Sequence, residues 1–240
     1  MEHISDRYRA YALDFWGFGE SDRRLATYTL PEYVTMVLDF IDALGVQKIN
    51  LVGHGLGGMV ALLAAAQRPE TFPKVLTVCT PFQGGQLQAH AKASTFERLF
   101  GRSNPLNGWV RMLQRLDLDD KQVQREIIED TETLTEAVVN TVFQSLTSTD
   151  LRSELRQTQA QLLAVYGERD TFVEASQGDY LRDDHPVLQQ VIRLPKSGHF
   201  PFLSEEKIFN RLLQDFLASQ GTEVEIKTEW RRRVSQLEYI

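Results

Sequence analysis

Three features of the chain predict an α/β domain: a mostly parallel sheet with helices on both faces, plus one helical insertion. Short apolar runs alternate with stripes at helical spacing. The alternation breaks once, where residues 82–157 show helical patterns and no convincing strand. A glycine-rich turn, Gly53-His54-Gly55-Leu56-Gly57-Gly58, joins an apolar run to an apolar helix pattern near the middle of the first half.

The 240 residues suffice for one large α/β domain with an insertion. A composition of 42% hydrophobic and 25% charged residues is that of an ordinary soluble globular protein. A net charge of −7 without a dominant basic patch argues against a nucleic-acid partner. The single cysteine, Cys79, excludes an internal disulfide, suits a reducing compartment and reads as a buried strand residue. The longest apolar stretch, residues 59–66, is too short to span a bilayer, so no membrane partner is expected. Glu2, Asp6, Arg7 and Arg9 interrupt the N-terminus where a signal peptide would be apolar. A cytoplasmic protein is the expectation, and neither a cofactor nor a metal is expected.

In chain order, residues 8–13 are apolar enough for a strand and run into Asp14-Phe15-Trp16-Gly17-Phe18-Gly19-Glu20-Ser21. Thr29 and Glu32 have capping-box spacing at the start of a helix. Val34, Val37, Leu38, Ile41 and Leu44 give that helix one buried stripe, and Gly45 is placed to end it. Residues 49–52 form the next strand, residues 59–66 a helix, and residues 75–79 another strand. Three stripes follow in the insertion: Trp109, Met112, Leu113 and Leu116; Val123, Ile127 and Ile128; and Leu134, Val138, Val142, Phe143 and Leu146. The sheet resumes at residues 162–166, which lead to Gly167-Glu168-Arg169-Asp170. Residues 191–194 are the last strand and lead to Ser197-Gly198-His199. Ile208, Phe209, Leu212, Leu213, Phe216 and Leu217 mark the final core helix. The polar tail, with Trp230 and Arg231-Arg232-Arg233, reads as a solvated face.

Four motifs in this order resemble the α/β-hydrolase superfamily, in its lid-bearing branch, from Tyr8 to about Leu217. They are Asp14-x-x-Gly17-x-Gly19-x-Ser21, the elbow Gly53-His54-Gly55-Leu56-Gly57-Gly58, Gly167-Glu168-Arg169-Asp170, and Gly198-His199. The resemblance implies an α/β-hydrolase core of residues 1–81 and 158–240 and a helical lid of residues 82–157. It implies an acid–histidine pair in which Asp170 orients His199 and His199 acts as general base. It also implies a half oxyanion hole at the Leu56 N–H and a small-molecule ligand under the lid. Read singly, Asp170 is equally a turn residue and His199 a satisfied polar side chain. The place of His54 in the elbow is commonly filled by histidine without a chemical role.

Two departures from the family pattern bear on function. The elbow pattern is G-x-S-x-G, and here Gly55 occupies the nucleophile position. By descent the chemistry is hydrolysis of ester, amide or C–C bonds, and Gly55 predicts that it is catalytically impaired. The family also has strands ahead of residues 8–13, and one of them normally lies between that strand and residues 49–52. Only seven residues precede Tyr8, so the chain reads as an N-terminally truncated version of the fold, with residues 1–5 as the end of its first helix. Four alternatives stand beside the impaired hydrolase. One is a non-catalytic binding or scaffold protein on the same fold. A second is residual chemistry without a nucleophile, in which Asp170 and His199 activate a water where a serine Oγ would lie. A third is an ordinary serine hydrolase changed at one position. The fourth is a dinucleotide-binding protein using Gly53, Gly55 and Gly58 as G-x-G-x-x-G. That last reading lacks the acidic residue expected at the end of the following strand, where Val78-Cys79-Thr80 stands.

Overall fold

The computed structural model describes residues 2–23, 27–87, 110, 113, 121–182 and 184–226. Four parallel strands form one sheet: β1 (Leu51–His54), β2 (Lys74–Val78), β3 (Gln161–Gly167) and β4 (Gln189–Leu194), in the order β1-β2-β3-β4. Leu51 pairs with Val75, Leu76 with Leu163, and Val165 with Ile192. α-Helices make the crossovers between β1 and β2 and between β2 and β3, whereas a loop with one short 3-10 turn (Ala175–Tyr180) joins β3 to β4. Before β1 come α1 (Glu2–Ser5) and α2 (Leu30–Leu44), and α3 (Leu56–Gln67) links β1 to β2. Between β2 and β3 lie α4 (Lys121–Glu132), α5 (Glu136–Ser148) and α6 (Arg152–Gln157). After β4 come α7 (Pro201–Ser204) and α8 (Glu206–Ala218).

Both faces of the sheet are buried along the central strands β2 and β3, and the pleat sorts the side chains between them. Val75, Leu162, Ala164 and Tyr166 face a core that includes Leu30, Val34, Met59 and Leu155 from the helices. Leu76, Val78, Leu163 and Val165 face the opposite core, closed by Phe209, Leu212 and Phe216 of α8. Continuous apolar runs, rather than alternation, are therefore what these strands require.

Residues 8–13 carry no strand, contrary to the sequence expectation. An extended segment becomes a strand only where a neighbour completes its hydrogen-bond ladder. Among the described residues none pairs with it, and β1 pairs only with β2. The outer edge of β1 is open there, with Val52 49% exposed.

The start of α2 also differs from expectation. Thr29 occupies the N-cap with extended backbone but makes no side-chain cap. Glu32 reaches past it and accepts from the Thr27 hydroxyl at 2.7 Å, while the Leu30 N–H is satisfied by Ser145 Oγ at 2.9 Å. Gly45 ends the helix in the left-handed region, as its position predicts.

The segment between β2 and β3 leaves and rejoins the sheet at one place. Gln83 and Asp150 form an antiparallel bridge, flanked by Leu151 N–H to Phe82 O at 2.7 Å and Gly84 N–H to Thr149 O at 2.9 Å. The described part of this segment is helical and contains no second sheet. Val123, Ile127 and Ile128 lie on α4, and Val138, Val142 and Leu146 are buried on α5. Leu113 is helical and buried, whereas Trp109, Met112 and Leu116 lie outside the described residues, as do Trp230 and the three arginines after it.

Candidate active site

The carboxyl ends of the strands carry the site. β1 ends at His54, and Gly55 makes the turn into α3. Gly55 has φ 50° and ψ −112°, a conformation that costs glycine little and strains any residue with a Cβ. Its N–H donates to Val78 O at 2.9 Å, which ties the turn to β2. The other glycines of the motif serve close approach. A Cβ on Gly53 would collide with the Gly57 carbonyl, and one on Gly58 with the Thr80 hydroxyl. The spacing that resembles a dinucleotide fingerprint is thus used to press α3 against the sheet.

A Cβ built on Gly55 meets one described atom within 4 Å outside its chain neighbours, His199 Nε2 at 3.9 Å. The Cβ direction at Gly55 therefore points at the histidine. His199 follows β4, and its Nδ1 lies 2.7 Å from Asp170 Oδ2 in the turn after β3. Both side chains are buried, 4% exposed for His199 and 0% for Asp170. Asp170 Oδ1 accepts two backbone N–H groups, from Phe172 at 2.8 Å and Val173 at 3.0 Å. Burial alone would raise the Asp170 carboxyl, but the His199 hydrogen bond and charge and these two N–H groups outweigh it and hold it below its ordinary value. An ionised Asp170 can only accept, so Nδ1 of His199 donates. In the neutral ring that leaves Nε2, the atom aimed at Gly55, as the basic nitrogen.

Aromatic rings close around this pair. The His199 ring packs edge-on against Phe172 at 5.3 Å and Phe200 at 5.1 Å, and against His54 at 4.6 Å. His54 Nε2 lies 2.8 Å from the His199 carbonyl. A carbonyl only accepts, so Nε2 carries the proton. Burial, and secondarily the charge of His199, push the His54 pKa down to about 3, which keeps that ring neutral. His54 thus pins the histidine loop to the elbow, a role that its place in the motif does not reveal. Ser197, fully buried beside the loop, donates to the Glu205 carboxylate. These contacts span up to 145 residues and carry no local sequence signal.

Leu56 opens α3; the Gly58 and Met59 N–H groups already donate to the Gly55 carbonyl, at 3.2 and 3.3 Å, which leaves the Leu56 and Gly57 N–H groups at the positive dipole end of the helix beside the elbow turn. The Asp14 motif is a self-bonded turn. Asp14 Oδ2 accepts the Glu20 N–H at 3.2 Å, and Ser21 Oγ donates to Asp14 O at 2.6 Å.

Cys79 is buried, as expected, but it lies one residue past the end of β2, in a bend with φ 43° and not in the strand, and its position beside the pair was not legible in the sequence. Its Sγ lies within 4.8 Å of donor atoms on Asp170 and His199, the one such trio among the described residues. The set does not fit a metal cage. Asp170 and His199 spend their facing atoms on each other, and both N–H bonds to Oδ1 would have to yield. Burial, then the Asp170 charge, raises the Cys79 thiol well above its ordinary value, away from the thiolate that a metal wants.

The alpha/beta hydrolase fold profile matches residues 1–133. An uncharacterized hydrolase from Bacillus subtilis is 25% identical over 234 residues, covering 89% of this chain and 82% of that protein. A pimeloyl-[acyl-carrier protein] methyl ester esterase from Aeromonas salmonicida is 27% identical over 237 residues, covering 90% of this chain and 87% of that protein. The crystal structure of a hydrolase from Pseudomonas aeruginosa superposes with a TM-score of 0.72 at 21% identity, covering 91% of this chain and 83% of that one. A profile match over more than half the chain agrees with the order of elbow, acid and histidine on one parallel sheet, and the chain belongs to the alpha/beta hydrolase fold family.

Proposed function

We propose that this protein is a catalytically impaired hydrolase, one in which the acid–histidine pair remains and the covalent nucleophile is gone. By descent its substrate is an ester, amide or C–C compound, bound under a lid that includes helices α4 and α5 between β2 and β3. One observation carries the reading. Gly55 sits in the elbow with its Cβ direction aimed at His199 Nε2, and it has no hydroxyl to offer. In a serine protease, loss of the nucleophile costs on the order of 10⁶ in turnover. The Aeromonas relative is named as a methyl ester esterase, so esters are the class to test first.

The experiment is Gly55→Ser, assayed with p-nitrophenyl esters and with a fluorophosphonate probe that needs an activated hydroxyl. The native chain is expected to stay unlabelled, and the variant to be labelled on the elbow peptide and to gain esterase activity. Labelling of the native elbow would overturn the proposal. So would a folded Gly55→Ser chain with neither label nor activity, since the pair would then not be a working base.

A further inference from the structure

The elbow leaves a base without an attached nucleophile to serve. We infer that His199 instead activates a water held over Gly55, which attacks activated esters directly in a single displacement with no acyl-enzyme. The inference rests on the proposed reading of this site as a hydrolase site lacking its nucleophile.

Gly55 sends no side-chain atom toward His199. The Cβ direction at Gly55 meets only His199 Nε2, at 3.9 Å, among the described residues. A water at hydrogen-bond distance from that nitrogen, about 2.8 Å, falls in the same space. It would lie beside the start of α3, where N–H donors without helical acceptors begin at Leu56. A held water needs two or more polar partners, and the imidazole and these donors are of the right kind. The rings of Phe172, Phe200 and His54 pack against the imidazole, which is buried, and fix its orientation.

A water proton passes to His199 Nε2 while the water oxygen forms a bond to the ester carbonyl carbon. The carbonyl electron pair moves onto its oxygen, at the positive end of α3. Asp170 keeps the Nδ1 proton and stabilises the imidazolium that forms. The tetrahedral species then re-forms the carbonyl and breaks the bond to the leaving oxygen. That oxygen takes the proton from Nε2, and acid and alcohol depart. Without a covalent intermediate to divide the barrier, the route favours esters of acidic alcohols, such as phenyl and enol esters.

The test uses the purified native chain, pre-treated with fluorophosphonate to silence contaminating serine hydrolases, and p-nitrophenyl acetate. Release of nitrophenol is expected to be linear from the first turnover, with no burst. General-base assistance is typically worth 10²–10⁴, so His199→Gln should lower the rate by about 10²-fold or remove it. Asp170→Asn, which offers the wrong tautomer, should do likewise and decides the matter if the first variant does not fold by circular dichroism. A native rate equal to that of these variants, alongside an active Gly55→Ser chain, overturns the inference and leaves the proposed function standing. A burst or fluorophosphonate-sensitive turnover in the native chain overturns it as well. Inactivity of both the native chain and a folded Gly55→Ser chain overturns both.

Discussion

His54 should make this protein less stable at pH 5 than at pH 7. Its ring lies among His199, Phe200 and Phe202 and is held neutral, with the pKa pushed down to about 3 by burial first and by the charge of His199 second. The unfolded chain returns it to about 6.5. A depressed folded value means that the unfolded state takes up the proton first as pH falls. The stabilisation is therefore complete above about pH 6.5 and is lost progressively as pH falls toward 3. At pH 5 the unfolded group is about 1.5 units past its midpoint and the folded one is still neutral, which at 1.36 kcal/mol per unit costs about 2 kcal/mol. The residue keeps some solvent exposure, so this is an upper figure. The assay is urea denaturation at pH 7 and pH 5 of the native chain and of His54→Gln. Glutamine still offers an N–H to the His199 carbonyl but does not titrate. The contributions of the other histidines and the carboxylates cancel in the difference. The variant should lose less stability than the native chain between the two pH values, by up to about 2 kcal/mol. Equal losses in the two chains would refute a neutral, buried His54 pinned to the histidine loop.

Three further outcomes are expected. Gly55→Ala should cost about 1–3 kcal/mol, because φ 50° strains a residue with a Cβ, and an unchanged denaturation midpoint would show that the turn relaxes. Val52→Lys should reduce self-association measured by light scattering, because Val52 stands 49% exposed on the open edge of β1 and lysine is a common guard of such edges; identical scattering would show that this edge does not mediate association. Cys79, fully buried with its thiol raised well above the ordinary value, should resist Ellman's reagent in the native chain and react once unfolded in urea. Fast stoichiometric reaction of the folded protein would contradict that burial.

What the sequence by itself determined is the frame of the sheet and the order of the site. The runs at residues 49–52, 75–79, 162–166 and 191–194 announce four of the strands because a parallel strand covered on both faces must be apolar throughout. Gly45 announces a helix end because the left-handed turn there is cheapest for glycine. Gly55, Asp170 and His199 could be nominated because each follows a strand, and open parallel sheets gather such positions at one end. Only the tertiary structure decided the rest, since it depends on partners far away in the chain. Residues 8–13 are apolar enough for a strand, yet a strand is made by its neighbour and none of the described residues serves. Thr29 has the spacing of a cap, yet Ser145, 115 residues away, satisfies the neighbouring Leu30 N–H. His54 is an ordinary elbow residue until the fold sets the His199 carbonyl 2.8 Å from its ring, and Cys79 reads as an ordinary strand residue until the fold sets it just past β2 and beside Asp170. The direction in which a Cβ on Gly55 would point, toward His199 Nε2, is a property of two loops from opposite halves of the chain, and no local pattern encodes it.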